Sequence, residues 1–217
     1  MKKFKNIAII VAAMVLVFAL GVGSTLAYFV SVSSTLTNDF IPTKFGDPAV
    51  TETTTKYVAI PGVDIAKDPK VKYTPTTNNT AEQASAYLYL TVSIAGGWAT
   101  TDNYVFNNKI GDAAADKLSF TLVQANWKYL GTTNGTRVYV YVVSSTEQKL
   151  TAAKSDIQVL ANNKVTVSGT ITKEEMEASG IDTKLGSVTF GAYAVQAEGL
   201  GDAKAAWNKV NTSLTLG

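Results

Sequence analysis

The fold is decided by the stretch Ala86–Ile94, whose sequence is AYLYLTVSI. Its side chains alternate in character from one residue to the next. Aliphatic side chains fall on one face: Leu88, Leu90, Val92 and Ile94. Tyrosine and hydroxyl side chains fall on the other: Tyr87, Tyr89, Thr91 and Ser93. A period of two is that of a β-strand, and the contrast between the faces predicts a half-buried strand.

Three further stretches extend this strand to a sheet. Leu118–Leu122 repeats the alternation of apolar and hydroxyl side chains. Val138–Val143 and Val188–Val195 are largely apolar or aromatic on both faces, which is typical of strands in the middle of a sheet. The sequence therefore predicts an all-β fold, an antiparallel β-sandwich of the jelly-roll type.

The helices predicted by the sequence are short and peripheral. Thr172 and Glu175 have the spacing of a capping box at a helix start. Asp202 can cap a second helix over residues 203–210, in which Trp207 is the expected apolar anchor.

One hairpin can be predicted together with its register. A three-residue loop over residues 161–163 would pair Val159 with Val165 and keep the apolar residues of both strands on one face. Ile157 would then pair with Val167, and Asn163 would take the left-handed conformation that asparagine tolerates.

Charge and composition exclude several functions. The 217 residues include 19 Lys and Arg against 17 Asp and Glu, and removal of the three lysines among the first five residues leaves 16 against 17. This balance gives no basic surface for nucleic acid. The chain has no His and no Cys, so His-based nucleophile systems, HExxH zinc sites and disulfides are excluded. We expect no enzyme activity, no catalytic residue and no cofactor.

The N-terminal segment has the organisation of a secretory signal peptide. Lysines at positions 2, 3 and 5 precede the apolar run Ile7–Leu20, and small residues lead to Ala27. This order predicts cleavage between Ala27 and Tyr28, a secreted protein, and a single β-sandwich domain over residues 28–217. No charge occurs between Lys5 and Asp39, so an uncleaved membrane anchor is the alternative.

The strand that cleavage would free is amphipathic. In residues 28–40, five apolar side chains stand at even-numbered positions and would share one face of a strand: Tyr28, Val30, Val32, Leu36 and Phe40. The segment is either the first strand of its own sandwich or a donor strand that completes the sheet of a neighbouring subunit. Head-to-tail donation that does not close on itself produces filaments.

Two groups of side chains were considered for other chemistry. Glu198 closes an apolar strand and is interpreted as a strand-end surface residue rather than an acid catalyst. Asp64 and Asp68 flank a turn, where solvated charge is the simpler interpretation and an oxygen-ligand calcium site the alternative.

Three aromatic residues, Trp98, Tyr104 and Trp127, could either pack in the core or line a sugar-binding platform. The second interpretation would suit a monomeric surface adhesin or carbohydrate-binding module. Core packing is the expected role of all three.

Four segments, in their order along the chain, resemble one family. They are Gly21–Phe29, Thr37–Phe40, Ile60–Val71 and Ala192–Gly199, the last followed by Ala205-Ala206-Trp207. In this order they resemble the elements of camelysin/TasA-type proteins of Gram-positive bacteria.

The resemblance implies a jelly-roll subunit of extracellular matrix or cell-surface fibres, exported through a dedicated ER-type signal peptidase. Its implied partners are further copies of itself, head to tail, and other matrix proteins, with no nucleic acid and no membrane after cleavage. Some members carry a metalloprotease label, which the absence of His does not support here.

Overall fold

Thirteen β-strands and two α-helices form the part of the chain that the structure describes. The computed structural model describes residues 47–54, 56–75, 84–101, 104–110, 116–144, 148–181 and 185–210. The predicted signal peptide, its cleavage site and the strand over residues 28–40 lie outside the described residues. The chain divides after Pro42, and every described residue belongs to the second unit.

The strands form three sheets, of five, three and five strands, and every pairing between strands is antiparallel. The strands are β1 Asp47–Thr51, β2 Ile65–Ala66, β3 Lys70–Thr74, β4 Ala86–Ala95, β5 Trp98–Thr101, β6 Val105–Asn108, β7 Leu118–Thr121, β8 Trp127–Thr133, β9 Thr136–Tyr141, β10 Lys149–Leu150, β11 Lys154–Gln158, β12 Lys164–Val167 and β13 Ser187–Gln196. The helices are α1 Lys173–Glu177 and α2 Ala203–Val210.

Strand β4 is the centre of the first sheet. It pairs along its whole length with β13 on one side, and with β9 and β10 on the other, where β8 follows β9. The second sheet has the order β1-β3-β11 and the third the order β2-β12-β7-β6-β5. A bridge between Leu122 and Leu160 joins the ends of these two sheets. The packed antiparallel sheets confirm the predicted all-β sandwich.

The main core fills the space between the first sheet and the other two. Leu88, Leu90 and Val92 of β4 lie there, completely buried, against aromatic side chains such as Phe106 and Phe120. These are the aliphatic residues that the alternation placed on the core face, and their burial confirms that prediction.

The prediction that β4 is half-buried is wrong. Its second face is also covered, and both Tyr87 and Tyr89 are buried there. The cover is helix α2, whose Trp207 packs on this face in a second apolar cluster. The tyrosines tolerate burial because their hydroxyls donate to main-chain carbonyls, that of Tyr87 to Gly201 and that of Tyr89 to Ala203.

Both predicted helices form with the predicted caps. Thr172 accepts a hydrogen bond from the Glu175 N–H, and the Glu175 carboxylate accepts one from the Thr172 N–H. The Asp202 carboxylate accepts from the Ala205 N–H at 2.8 Å at the start of α2.

The predicted hairpin is correct in its loop and wrong in its pairing. Asn163 has the left-handed conformation, with a φ of 50°. Ile157, Val159 and Val165 are buried in the main core. However, β11 pairs with β3, and β12 pairs with β2 and β7. Both arrangements place the same alternate apolar residues on the core side of the strands. The alternation of side chains therefore could not distinguish between them.

Candidate assembly groove

The outer edge of β13 is unpaired within the described residues, although β1 of the second sheet lies close to this strand. The ten residues of β13 pair with β4 from Ser187 opposite Ala95 to Gln196 opposite Ala86, and no other strand in the described ranges pairs with it. The sequence predicted a central strand here, so this edge position is a correction. An open edge of this length presents a row of N–H and C=O groups that can template another strand.

The start of β13 is fixed by a glycine and two side chains. Gly186 has a φ of 65°, and a Cβ at this position would lie 1.9 Å from the carbonyl oxygen of Ala95. Trp98 Nε1 and Asn108 Nδ2 both donate to the carbonyl of Leu185, at 3.0 and 3.2 Å. The chain is therefore held tightly against the end of β4 where the open edge begins.

An apolar groove lies beside this end of β13. Its volume is about 340 Å³. Its apolar lining comes from the first and third sheets and from the segments that connect their strands, and includes Ile65, Trp98, Phe120, Val165, Leu185 and Val188. Phe190 and Ala192, further along β13, are only partly buried against the core. Apolar side chains at alternate positions along an open edge are what an added amphipathic strand requires.

Lys67, which lines the groove, forms a largely buried ion pair with Glu52. Lys67 Nζ lies 2.7 and 2.9 Å from the two carboxylate oxygens of Glu52, and the side chains are 15% and 14% exposed. The Tyr57 hydroxyl donates to the same carboxylate at 2.6 Å. Burial, and then this hydrogen bond to Glu52, raise the pKa of Tyr57.

The ammonium group of Lys67 also ties this ion pair to β13. It lies 4.5 Å from the centroid of the Tyr57 ring and 5.8 Å from that of the Phe190 ring. A cation over aromatic faces is attracted to both. The sequence predicts only a turn with solvated charge between Asp64 and Asp68. It could not predict the pair of Lys67 with Glu52, because Glu52 is fifteen residues away and no periodicity links the two.

The residues predicted for cleavage and polymerisation are not placed by the structure. Ala27 and Tyr28, and the donor-strand residues Val30, Val32, Leu36 and Phe40, all lie outside the described residues.

Glu198 is an exposed residue just beyond the end of β13, as the sequence analysis expected. Its carboxylate accepts hydrogen bonds from the Ser85 hydroxyl and, at 3.0 Å, from the Ser85 N–H. Partial burial acts to raise the pKa of Glu198, but these hydrogen bonds outweigh it and the pKa is lowered. A carboxyl held in its ionised form ties the end of β13 to the start of β4 and is unsuited to donate a proton.

The aspartates considered for calcium have protein partners. Asp64 pairs with Lys164 at 2.6 Å, and this hydrogen bond holds the pKa of Asp64 below its usual range. Asp68 accepts a hydrogen bond from Thr53. Among the described residues, no group of three or more His, Cys, Asp or Glu side chains could hold a metal ion.

The three aromatic residues that could have formed a sugar platform all pack in or against the main core. Trp127 is completely buried and packs against Tyr141. Trp98 packs against Phe120, and Tyr104 packs against Tyr129 and Tyr139. These contacts favour core packing, which was the expected role.

No family model, curated protein or solved structure matches the chain. Within the described ranges, no helix is long and apolar enough to cross a membrane.

Proposed function

We propose that this chain is a secreted structural subunit that assembles into extracellular matrix or cell-surface fibres by strand donation. The observation that carries the proposal is the open, ten-residue edge of β13 beside the apolar groove. The sequence of β13 is that of a central strand, yet the described residues give it a partner on one side only. A strand from elsewhere would complete the sheet.

The segment over residues 28–40 has the properties that this edge requires. Its thirteen residues would span about 44 Å as a strand, against about 34 Å for the ten residues of β13. Its apolar parity would face the core, while main-chain hydrogen bonds to the edge would supply affinity. Signal-peptide cleavage after Ala27 would free its end.

Donation between subunits makes each subunit a donor and an acceptor. Because the two surfaces differ, the contact is head to tail and leaves an unused surface at each end of the growing chain. Such contacts build filaments, and the resemblance to camelysin/TasA-type proteins points to the same outcome. The proposal assigns the protein no catalytic role.

Electron microscopy of the mature protein tests this function. Protein that begins at Tyr28 should form filaments, and protein that lacks residues 28–40 should remain folded and monomeric. A synthetic peptide of residues 28–40 should inhibit filament growth, because it would fill the acceptor edge. The same peptide with Val30→Asp and Val32→Asp should not inhibit.

Two outcomes would contradict the proposal. Mature protein that stays monomeric under all assembly conditions would favour a monomeric surface adhesin. Loss of the fold on deletion of residues 28–40 would return this segment to its own sandwich.

A further inference from the structure

The outer face of the first sheet is longer than the helix that covers it. Helix α2 has eight residues and spans about 12 Å, whereas the ten residues of β4 span about 33 Å. The helix covers the face around Tyr89. The face around Thr91 and Ser93 lies beyond Trp207 and forms a pocket of about 340 Å³.

The lining of this pocket is neutral and rich in hydroxyl groups. Its floor carries side chains from three paired strands: Thr91, Ser93, Thr136 and Thr189. Thr133 and Asn134, at the turn between β8 and β9, form one side. No charged side chain of the described residues lines the pocket.

The strand register builds this floor. Ser93 lies opposite Thr189 of β13 and within 2.7 Å of the Thr136 hydroxyl of β9, so hydroxyls from three strands form one row. The next residue of β13 on this face of the sheet is Gly191, which lies opposite Thr91. A Cβ at Gly191 would lie 2.5 Å from the Thr91 hydroxyl, so any larger side chain at this position would fill the floor of the pocket.

Two aromatic residues form the wall next to the helix. The Tyr193 ring is 47% exposed and stands edge to face on Trp207, with the centroids 5.7 Å apart at 83°. Trp207 is 3% exposed, and its Nε1 has no hydrogen-bond partner among the described residues. Tyr193 is thus a half-exposed ring that rests on the buried Trp207 and faces the pocket.

We infer that this pocket binds a neutral saccharide. A sugar presents C–H groups that pack on an aromatic ring and hydroxyls that exchange hydrogen bonds with threonine, serine and asparagine side chains. The pocket volume lies in the range of small-ligand sites. The absence of lining cations disfavours phosphate or uronate ligands, and the hydroxyl row disfavours an apolar ligand.

The site differs from the groove beside β13 and does not depend on strand donation. It lies on the opposite face of the first sheet from the main core. A subunit with such a site could hold a neutral polysaccharide whether it is monomeric or assembled.

Saturation-transfer NMR and calorimetry on the mature protein test this inference with cellotetraose, mannotetraose and chitotetraose as probes. At least one probe should bind, and Tyr193→Ala should weaken its affinity about tenfold or more, since it removes the stacking surface. Thr189→Val, which removes one exposed hydroxyl and keeps the side-chain shape, should weaken it about threefold to tenfold. Thr151→Val, an exposed threonine outside the pocket, should leave it unchanged.

Melting temperatures of the Thr189→Val and Thr151→Val variants should match that of the parent protein, because both replaced side chains are exposed. Tyr193→Ala should lower the melting temperature only slightly, because it removes one edge-to-face contact on Trp207. Absence of binding to all three probes at millimolar concentration would overturn the inference. Equal affinity of the parent protein and the Tyr193→Ala variant would also overturn it.

Discussion

The ring of Tyr89 lies 5.0 Å from the ring of Trp207, centroid to centroid, at an interplanar angle of 59°. The Tyr89 hydroxyl donates to the carbonyl of Ala203 at 2.8 Å, at the first residue of α2. One residue of the central strand therefore holds the helix by a tilted ring contact and by a hydrogen bond. This contact buries the face of β4 that its sequence would leave to solvent.

Removal of the Trp207 side chain should strongly destabilise the fold. Trp207→Ala should lower the free energy of unfolding by about 3–5 kcal/mol, since it deletes a buried aromatic side chain and leaves a cavity above Tyr89. Urea denaturation followed by circular dichroism measures the change. Val210→Ala, at the exposed end of the same helix, should change it by no more than about 0.5 kcal/mol. A similar small loss for both variants would mean that α2 contributes little to the fold.

Alkaline pH should weaken the fold through its buried tyrosines. Burial raises the pKa of Tyr89 and of Tyr139. In the unfolded chain a tyrosine ionises near pH 10, so the stabilisation is complete below that pH. As the pH rises further, the unfolded chain releases protons that the folded chain retains, and stability is lost.

Tyr89→Phe separates the contribution of one tyrosine. At neutral pH it should cost about 1 kcal/mol for the lost hydrogen bond to Ala203. Above pH 10 the melting temperature of the variant should fall less steeply with pH than that of the parent protein. If the melting temperatures of the two proteins fell equally steeply with pH, the assignment of alkaline sensitivity to Tyr89 would be contradicted.

The Lys67–Glu52 ion pair should stabilise the groove wall. Glu52→Gln leaves the Lys67 ammonium without its counter-charge in a largely buried site and should cost about 3 kcal/mol. Replacement of both residues, Glu52→Leu with Lys67→Met, should recover most of this loss. Denaturant titration of the parent protein, the single variant and the double variant measures the free energy of unfolding of each.

The exposed pair Lys173–Glu177 provides the control for this experiment. Its charged atoms are 3.7 Å apart and the side chains are 77% and 67% exposed. Glu177→Gln should change the stability by no more than about 0.5 kcal/mol. A double variant at Lys67 and Glu52 as unstable as Glu52→Gln would contradict the charge-based explanation.

Processing should occur between Ala27 and Tyr28. In a Gram-positive host, intact-mass measurement of the exported protein should give a chain that begins at Tyr28. Ala27→Asp should block release, because signal peptidases require a small residue at this position. Ser33→Ala, beyond the site, should be processed normally. A mass that includes residues 1–27, with the protein in membranes, would support an uncleaved anchor.

The sequence predicted the local features of this fold better than its long-range contacts. The alternation over Ala86–Ile94 identified the core face of β4, and the capping box at Thr172 and the left-handed Asn163 followed from local chemistry. The cover on Tyr89 comes from a helix more than a hundred residues later, and nothing near Tyr89 encodes it. The Lys67–Glu52 pair and the hydroxyl row of the outer pocket depend in the same way on strand register, which the sequence analysis did not have.

For strand β13, the prediction from the sequence and the position in the structure disagree. Its sequence predicts a central strand, but within the described residues it pairs with a strand on one side only, and side chains such as Tyr193 are exposed. The disagreement between the sequence of β13 and its position is itself the reason to expect a further strand at this edge.

Strand donation to β13 is tested most directly by mixing two variants, each defective on one side of the junction. Val32→Asp would place an unpaired charge in an apolar groove and disable the donor. Val188→Lys would place a long charged side chain in the groove next to Lys67 and disable the acceptor. Val32→Asp alone should keep the melting temperature of the monomer. Val188→Lys should remain folded with a lower melting temperature, because Val188 packs at the margin of the main core. Neither variant alone should form filaments. Light scattering after size exclusion of an equimolar mixture should show a heterodimer and nothing longer, because only one junction can form. A mixture that remains monomeric, or a Val32→Asp monomer that unfolds, would contradict donation between subunits.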